Sequence, residues 1–149
     1  MALAAYPWNW CPVITQMKEE TGGFSFEIGP RGELSFKMHV GQNIINCISD
    51  DKLPLRKWMH IAAVYEDGKG LSIFINGDKV ANYSTSEKPD FAPKEELRIG
   101  MNYTAVFPSN RIGENGITPY WFSIDGIIDE LKVYDRALVS DQIKSRIEQ

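Results

Sequence analysis

Residues 125–130, DGIIDE, bring three carboxylates, Asp125, Asp129 and Glu130, into six positions. Acids this close invite the question of hydrolysis. A retaining glycosidase needs two carboxyls about 5 Å apart, facing one cleft. In a strand, neighbouring side chains point to opposite faces and those two apart share one. Such a pair therefore sits at i and i+2, or at i and i+4 with an aspartate between. Here position 127, between Asp125 and Asp129, is Ile, and Asp129 and Glu130 point opposite ways. No other segment that reads as a strand carries paired acids. His39 and His60 lie far apart in sequence with no nucleophile beside either, and His60 reads as a packed strand histidine sharing a face with Trp58, Ala62 and Val64. The chain is expected to be non-catalytic.

A second vocabulary is better represented. YPWNW supplies Tyr6, Trp8, Asn9 and Trp10; MNY supplies Asn102 and Tyr103; SNR supplies Asn110 and Arg111; TPYWF supplies Tyr120 and Trp121. Aromatic rings stack on the apolar C–H face of a sugar, while amides, carboxylates and guanidinium groups satisfy its hydroxyls. Pro7 and Pro12 stiffen the first of these loops, which lowers the entropic cost of binding. The competing reading is structural: Trp8 and Trp10 plug one end of the fold, and Trp121 or Phe122 is buried by alternation. End loops and a sheet face both stay open as the binding surface.

The elements that must position these groups are strands. GFSFEIG alternates Phe24, Phe26 and Ile28 against Ser25 and Glu27; ELSFKMHV alternates Leu34, Phe36, Met38 and Val40 against Ser35, Lys37 and His39. PRG between them supplies turn chemistry, so the two form a hairpin. NIINCIS precedes a polar break, DDKLPLRK, and WMHIAAVY is a longer strand. LSIFINGDKVANY holds Asn76-Gly77, a pair that tolerates positive φ and marks a tight hairpin. EELRIGMNY is a short strand, and a Pro- and Gly-bearing stretch over 104–119 leads into the closing strand. There, Ile127, Asp129, Leu131 and Val133 form the apolar face, which places Asp129 toward the core; Glu130, on the other face and flanked by Lys132 two residues on, faces solvent or a cross-strand ion-pair partner. Only SDQIKSRIEQ reads as helix, with Ser140 as N-cap.

At least seven short strands with turns between them and one terminal helix point to an antiparallel β-sandwich. The length of 149 residues fits one domain, 1–149, and the composition, 43% hydrophobic and 24% charged, is that of a globular chain. A net charge of −4 offers no basic field for nucleic acid or an anionic membrane. No apolar run is long enough to span a bilayer, and MALAAYPWNWC lacks the basic start of a signal peptide. Two cysteines, Cys11 and Cys47, leave open one disulfide or two part-buried thiols.

KWMHIAAVYEDGKGLSIFINGDKVA, LRIGMN and FSIDGIIDELKVYDRALVSDQI, taken together, resemble the laminin-G-like, concanavalin A-like jelly-roll family over about residues 24–147. AYPWNWCPVITQ resembles variants of this module attached to bacterial glycoside hydrolases. The resemblance implies a jelly-roll β-sandwich with a short C-terminal helix, in a secreted or periplasmic protein. Family members begin with one more strand, which pairs near the closing strand, and only MALAA represents its end here. Either the chain is a trimmed segment or another group covers that edge; an uncovered edge strand invites a homodimer.

The family often carries a structural Ca²⁺ near the position of Asp129. An unpaired carboxylate on a core face costs several kcal/mol, and Ca²⁺, which takes oxygen ligands including backbone carbonyls, would offset that. The alternative is that Asp129 caps backbone N–H groups at a loop crossing. The resulting expectation is a carbohydrate-binding accessory module of a glycoside hydrolase or similar polysaccharide-acting protein, with a structural calcium. An adhesion-type structural sandwich without glycan binding is the second reading, and a glycosidase the third.

Overall fold

The structure, a computed structural model, describes residues 1–17, 22–91, 94–101 and 123–147. Its strands are β1 (Ala2–Leu3), β2 (Cys11–Thr15), β3 (Phe24–Ile28), β4 (Glu33–Val40), β5 (Asn43–Lys52), β6 (Ile61–Glu66), β7 (Gly70–Ile75), β8 (Asp78–Tyr83), β9 (Arg98–Ile99) and β10 (Gly126–Ile127), followed by helix α1 (Ser140–Lys144). The named strands pair antiparallel, in a five-stranded sheet of order β5-β4-β3-β2-β9, a three-stranded sheet β6-β7-β8, and a two-stranded pair β1-β10. Among the described residues, no helix is long and apolar enough to cross a membrane.

The alternation in β3 and β4 sets the main hairpin. Phe26 pairs with Phe36 and Ile28 with Leu34 on one face; Ser25 pairs with Lys37 and Glu27 with Ser35 on the other. The apolar face meets β7, so Phe26, Phe36, Met38, Ile45 and Cys47 share one core with Leu71 and Ile73. Phe26 and Phe36 meet edge-on, centroids 6.2 Å apart, the arrangement that the ring quadrupoles favour. The second hairpin turns at Asn76 (φ 49°) and Gly77 (φ 79°), as a two-residue primed turn requires. Asn76 also accepts the His60 N–H through Oδ1 at 3.0 Å, and its own N–H donates to His60 O.

Four local expectations are corrected. The polar DDK is not a break, because β5 runs on to Lys52, which pairs with Glu33. The long strand begins at Ile61; the Met59 and His60 N–H groups are taken by Met1 O and Asn76 Oδ1, so Trp58 lies exposed and His60 precedes the ladder. The helix N-cap is Val139 rather than Ser140, and the Gln142 side chain accepts the Val139 N–H at 3.2 Å. Ile143 is buried, and Lys144 ion-pairs with Asp78 at 2.7 Å.

The fourth correction concerns the closing strand. Its ladder holds only Gly126 and Ile127, paired with Leu3 and Ala2, so MALAA does run beside the closing strand as the resemblance implied. Beyond Ile127 the described residues offer no partner strand, and Glu130 adopts φ 54°, which breaks the period-2 repeat. Asp129 is therefore exposed instead of facing the core, as are Ile127, Leu131 and Val133. Glu130 is exposed and pairs with Lys132 at 2.6 Å, two residues on in its own segment rather than across a ladder.

Cys11 and Cys47 are free and buried. Two strands separate β2 from β5 in the sheet order, so roughly three interstrand spacings, about 14 Å, divide them, far beyond disulfide reach. Burial pushes the Cys47 thiol up to about 11. Burial, with Glu27 nearby, pushes Cys11 up to about 12.

Candidate functional site

The YPWNW loop, residues 6–10, enters β2 at one end of the five-stranded sheet. Tyr6 is pinned there, its hydroxyl donating to Leu53 O at 2.7 Å and its ring against Gly32, where a Cβ would lie 2.6 Å from it. That contact marks Tyr6 as a brace for the β3–β4 turn. Asn9 Oδ1 accepts the Trp10 N–H at 2.8 Å, which fixes the entry of the chain into β2. The Trp10 ring then lies over Gly29 and the Glu33 side chain: a Cβ on Gly29 would sit 2.9 Å from Trp10 Cη2 and 2.6 Å from Glu33 Cδ. Glycine at 29 leaves the space in which the indole seats.

Beside that indole runs a row of polar side chains that the hairpin register assembles. Thr15, Ser25, Lys37 and Asn46 are cross-strand partners in one line, and Pro12, Glu27 and Ser35 in the next. Cross-strand partners share a face, so these groups converge without any long-range loop. Glu27 is the hub. It accepts from Ser25 Oγ at 2.8 Å and from Lys37 Nζ at 2.6 Å. The Lys37 ammonium also stands 5.6 Å from the Trp10 ring centroid, within cation–π range. Ser35 Oγ donates to Asn46 Oδ1 at 2.7 Å. The Glu27 side chain is 11% exposed and that of Lys37 26%, so the pair is largely removed from water. Such a pair gains little net stability over apolar residues of the same shape.

Glu33 closes the row at the turn. Burial pushes its carboxyl up, but its own N–H, the Arg31 N–H and the Arg31 guanidinium together hold it below the ordinary carboxylate range. Thr15, Ser25, Ser35 and both carboxylates are buried, so the groups of this row that stay part-exposed are an aromatic plane, Trp10, an ammonium, Lys37, and an amide, Asn46. A sugar needs that combination: an apolar stacking surface beside charge-assisted donors and acceptors.

The cavity between the sheets is of another kind. About 680 Å³ in volume, it is lined by Phe24, Phe26, Met38, Ile61 and Ala63 and by residues 128–138. Its sheet wall is apolar, and its polar side chains, among them His60, Glu66, Lys132 and Arg136, come from β6, the residues before it and the 128–146 segment.

Residues 3–144 match the family model of the concanavalin A-like lectin/glucanases superfamily, a laminin G-type module. The chain belongs to that superfamily. No curated protein matches it. A native heptameric SAP-like pentraxin from Limulus polyphemus is 18% identical, with a TM-score of 0.57 over 95% of this chain and 64% of that one. Residues 221–444 of an S-layer domain-containing protein from Clostridium thermocellum are 19% identical, with a TM-score of 0.44 over 94% of this chain and 64% of that one. This concanavalin A-like chain therefore spans about two thirds of each, 64%, and at such identity the pentraxin likeness shows the fold alone.

Set against this concanavalin A-like frame, the residues expected from sequence divide into three groups. Tyr6, Trp8, Asn9 and Trp10 lie together on the first loop, with Trp10 at the polar row and Tyr6 bound to the turn. Asn102, Tyr103, Arg111, Tyr120 and Trp121 fall outside the described residues. Asp129 stands apart: it is exposed, close enough to the Met1 amine to raise its pKa against the larger lowering by burial. Among the described residues, no group of three or more His, Cys, Asp or Glu side chains is placed to hold a metal ion. Relief of a buried carboxylate is thus no argument for a cation at Asp129.

Sequence reasoning missed Ser25, Glu27, Ser35, Lys37 and Asn46 as a set. The signal was present in the hairpin, because the PRG turn fixes Glu27 opposite Ser35 and Ser25 opposite Lys37. Polar positions of an alternating strand read as solvated, and nothing local says that this face is buried.

Proposed function

We propose that this domain is a non-catalytic carbohydrate-binding module, accessory to a glycoside hydrolase or a similar polysaccharide-acting protein. The sugar is received on the polar face of the five-stranded sheet, beside Trp10. One observation supports this most: the indole seated over Gly29, with the Lys37 ammonium 5.6 Å from its centroid and in turn 2.6 Å from Glu27. A sugar ring stacks on the indole edge of the row. Its hydroxyls then exchange hydrogen bonds with the part-exposed Lys37 and Asn46, which Glu27 and Ser35 already hold in place.

Affinity electrophoresis in polysaccharide gels, followed by a glycan array, tests the reading. Trp10→Ala and Lys37→Met are expected to lose retention while still unfolding cooperatively, the first at a lower melting temperature because its indole packs over Gly29. Tyr6→Phe should keep retention and lower the melting temperature, because it deletes only the bond to Leu53. Undiminished retention by Trp10→Ala removes the site from this face. A parent protein that binds no glycan, yet stabilises a co-expressed hydrolase domain, is instead the bracing or adhesion-type sandwich.

A structural Ca²⁺ at Asp129 is the second part of the reading, supported by the family resemblance and requiring backbone carbonyls as its other donors. A melting temperature lowered by several degrees in EDTA supports it, since a ligand bound only to the native state stabilises by mass action. An unchanged melt discards it.

A further inference from the structure

The five-stranded sheet begins at β5, and among the described residues no strand pairs with its outer side; β8 packs near it but shares no ladder with it. The direction of the β5 main chain follows from its neighbours. The His39 N–H donates to Gly23 O at 3.0 Å and its carbonyl accepts the Asp90 N–H at 2.8 Å, both on the β3 side of β4. Odd-numbered residues of β4 therefore turn their main-chain groups to β3, and Phe36 and Met38 turn theirs to β5. Their partners Cys47 and Ile45 face inward, which leaves Ile44, Asn46 and Ile48 with N–H and C=O directed outward. The same three residues carry the side chains of the outer face, and Ile44 is 48% and Ile48 50% exposed.

These positions are symmetric about Asn46. We infer that β5 is a dimerisation edge that takes β5 of a second copy of this chain, antiparallel about a two-fold axis at Asn46. In that register Asn46 meets its own equivalent and Ile44 meets Ile48 of the second copy. All are residues whose donors and acceptors point across the gap, so the register that matches the apolar side chains is also the one that pairs the main chain. It is isologous, and it closes at two copies. Charge agrees with it. Asp50 and Asp51, exposed at the end of the strand, would lie opposite Gln42 and Gly41, so no acid is brought against another. The two five-stranded sheets become continuous, with the Trp10–Lys37 faces of both copies on the same side.

Sedimentation velocity of the whole chain from 1 to 300 µM, concentrations chosen for the test, measures the association. A concentration-dependent dimer is expected in the parent. I44K/I48K sets lysine opposite lysine and should weaken association by roughly tenfold or more. I44K/I48E sets lysine opposite glutamate and should recover it. Ile44→Pro removes an outward N–H and none of the bonds to β4, so it should fold with a near-parent melting temperature and sediment as a monomer. A parent that is monomeric throughout, or a dimer that all three variants leave unchanged, overturns the β5 interface. Neither outcome touches glycan retention by the monomer.

Discussion

β4 and β6 invert what their compositions promise. ELSFKMHV, half polar, is buried at every position but Lys37, whereas IAAVYE, mostly apolar, is half-buried along its whole length. The difference lies in their neighbours. β4 runs between β3 and β5, with β7 beneath its apolar face. β6 begins its sheet, and residues 128–138 line the cavity beside it without forming a ladder. Place in the sheet decides burial, and alternation only decides which side chains share a fate.

If that is correct, equal truncations cost unequal amounts. Leu34→Ala, in a fully buried β4 site, is expected to destabilise by about 3 kcal/mol. Ile61→Ala, half-buried in β6, should cost about 1 kcal/mol; urea unfolding followed by tryptophan fluorescence measures both. Equal losses would break the comparison.

The polar face of β4 comes next. Glu27→Leu strands the Lys37 ammonium and the Ser25 hydroxyl, and should cost about 2 kcal/mol, less than a fully buried pair because Lys37 keeps 26% exposure. Adding Lys37→Met should restore most of it, since an apolar pair of that volume has no charge to strand. A double variant as unstable as the single one would show that the face needs its charges to fold.

Glu33 sharpens the point by pH. Its folded pKa lies below the ordinary 4.5, so its stabilisation is full above that pH and is lost as pH falls through the folded value. Glu33→Gln should lower the melting temperature at neutral pH and flatten its decline below pH 4.5. The smallest effect belongs to the closing segment, where Val133 is 69% exposed. Val133→Thr should stay within about 0.5 kcal/mol of the parent, and a larger loss would mean that this segment docks on β6 in solution.

Most of the fold was legible because its main signals are local. Alternation placed β3 and β4, the Asn76-Gly77 pair placed the β7–β8 turn, and PRG placed the first hairpin. The site was legible in part. Trp10 was named for its chemistry, but Glu27 and Lys37 were passed over, because polar residues on the outer face of a strand ordinarily meet water. Asp129 failed for the opposite reason: its alternation implied a core face, and the strand that would have enforced it ends at Ile127.

Side-chain order along each strand, the turns, the net charge and the superfamily motifs are properties of the chain itself, since each depends on residues a few positions apart. Which of two alternating faces is buried, whether two cysteines can meet, and where a ladder stops depend on strand neighbours brought from distant positions. Those were decided only when β2 to β5 came together, because burial and pairing are interactions between elements and no single element contains them.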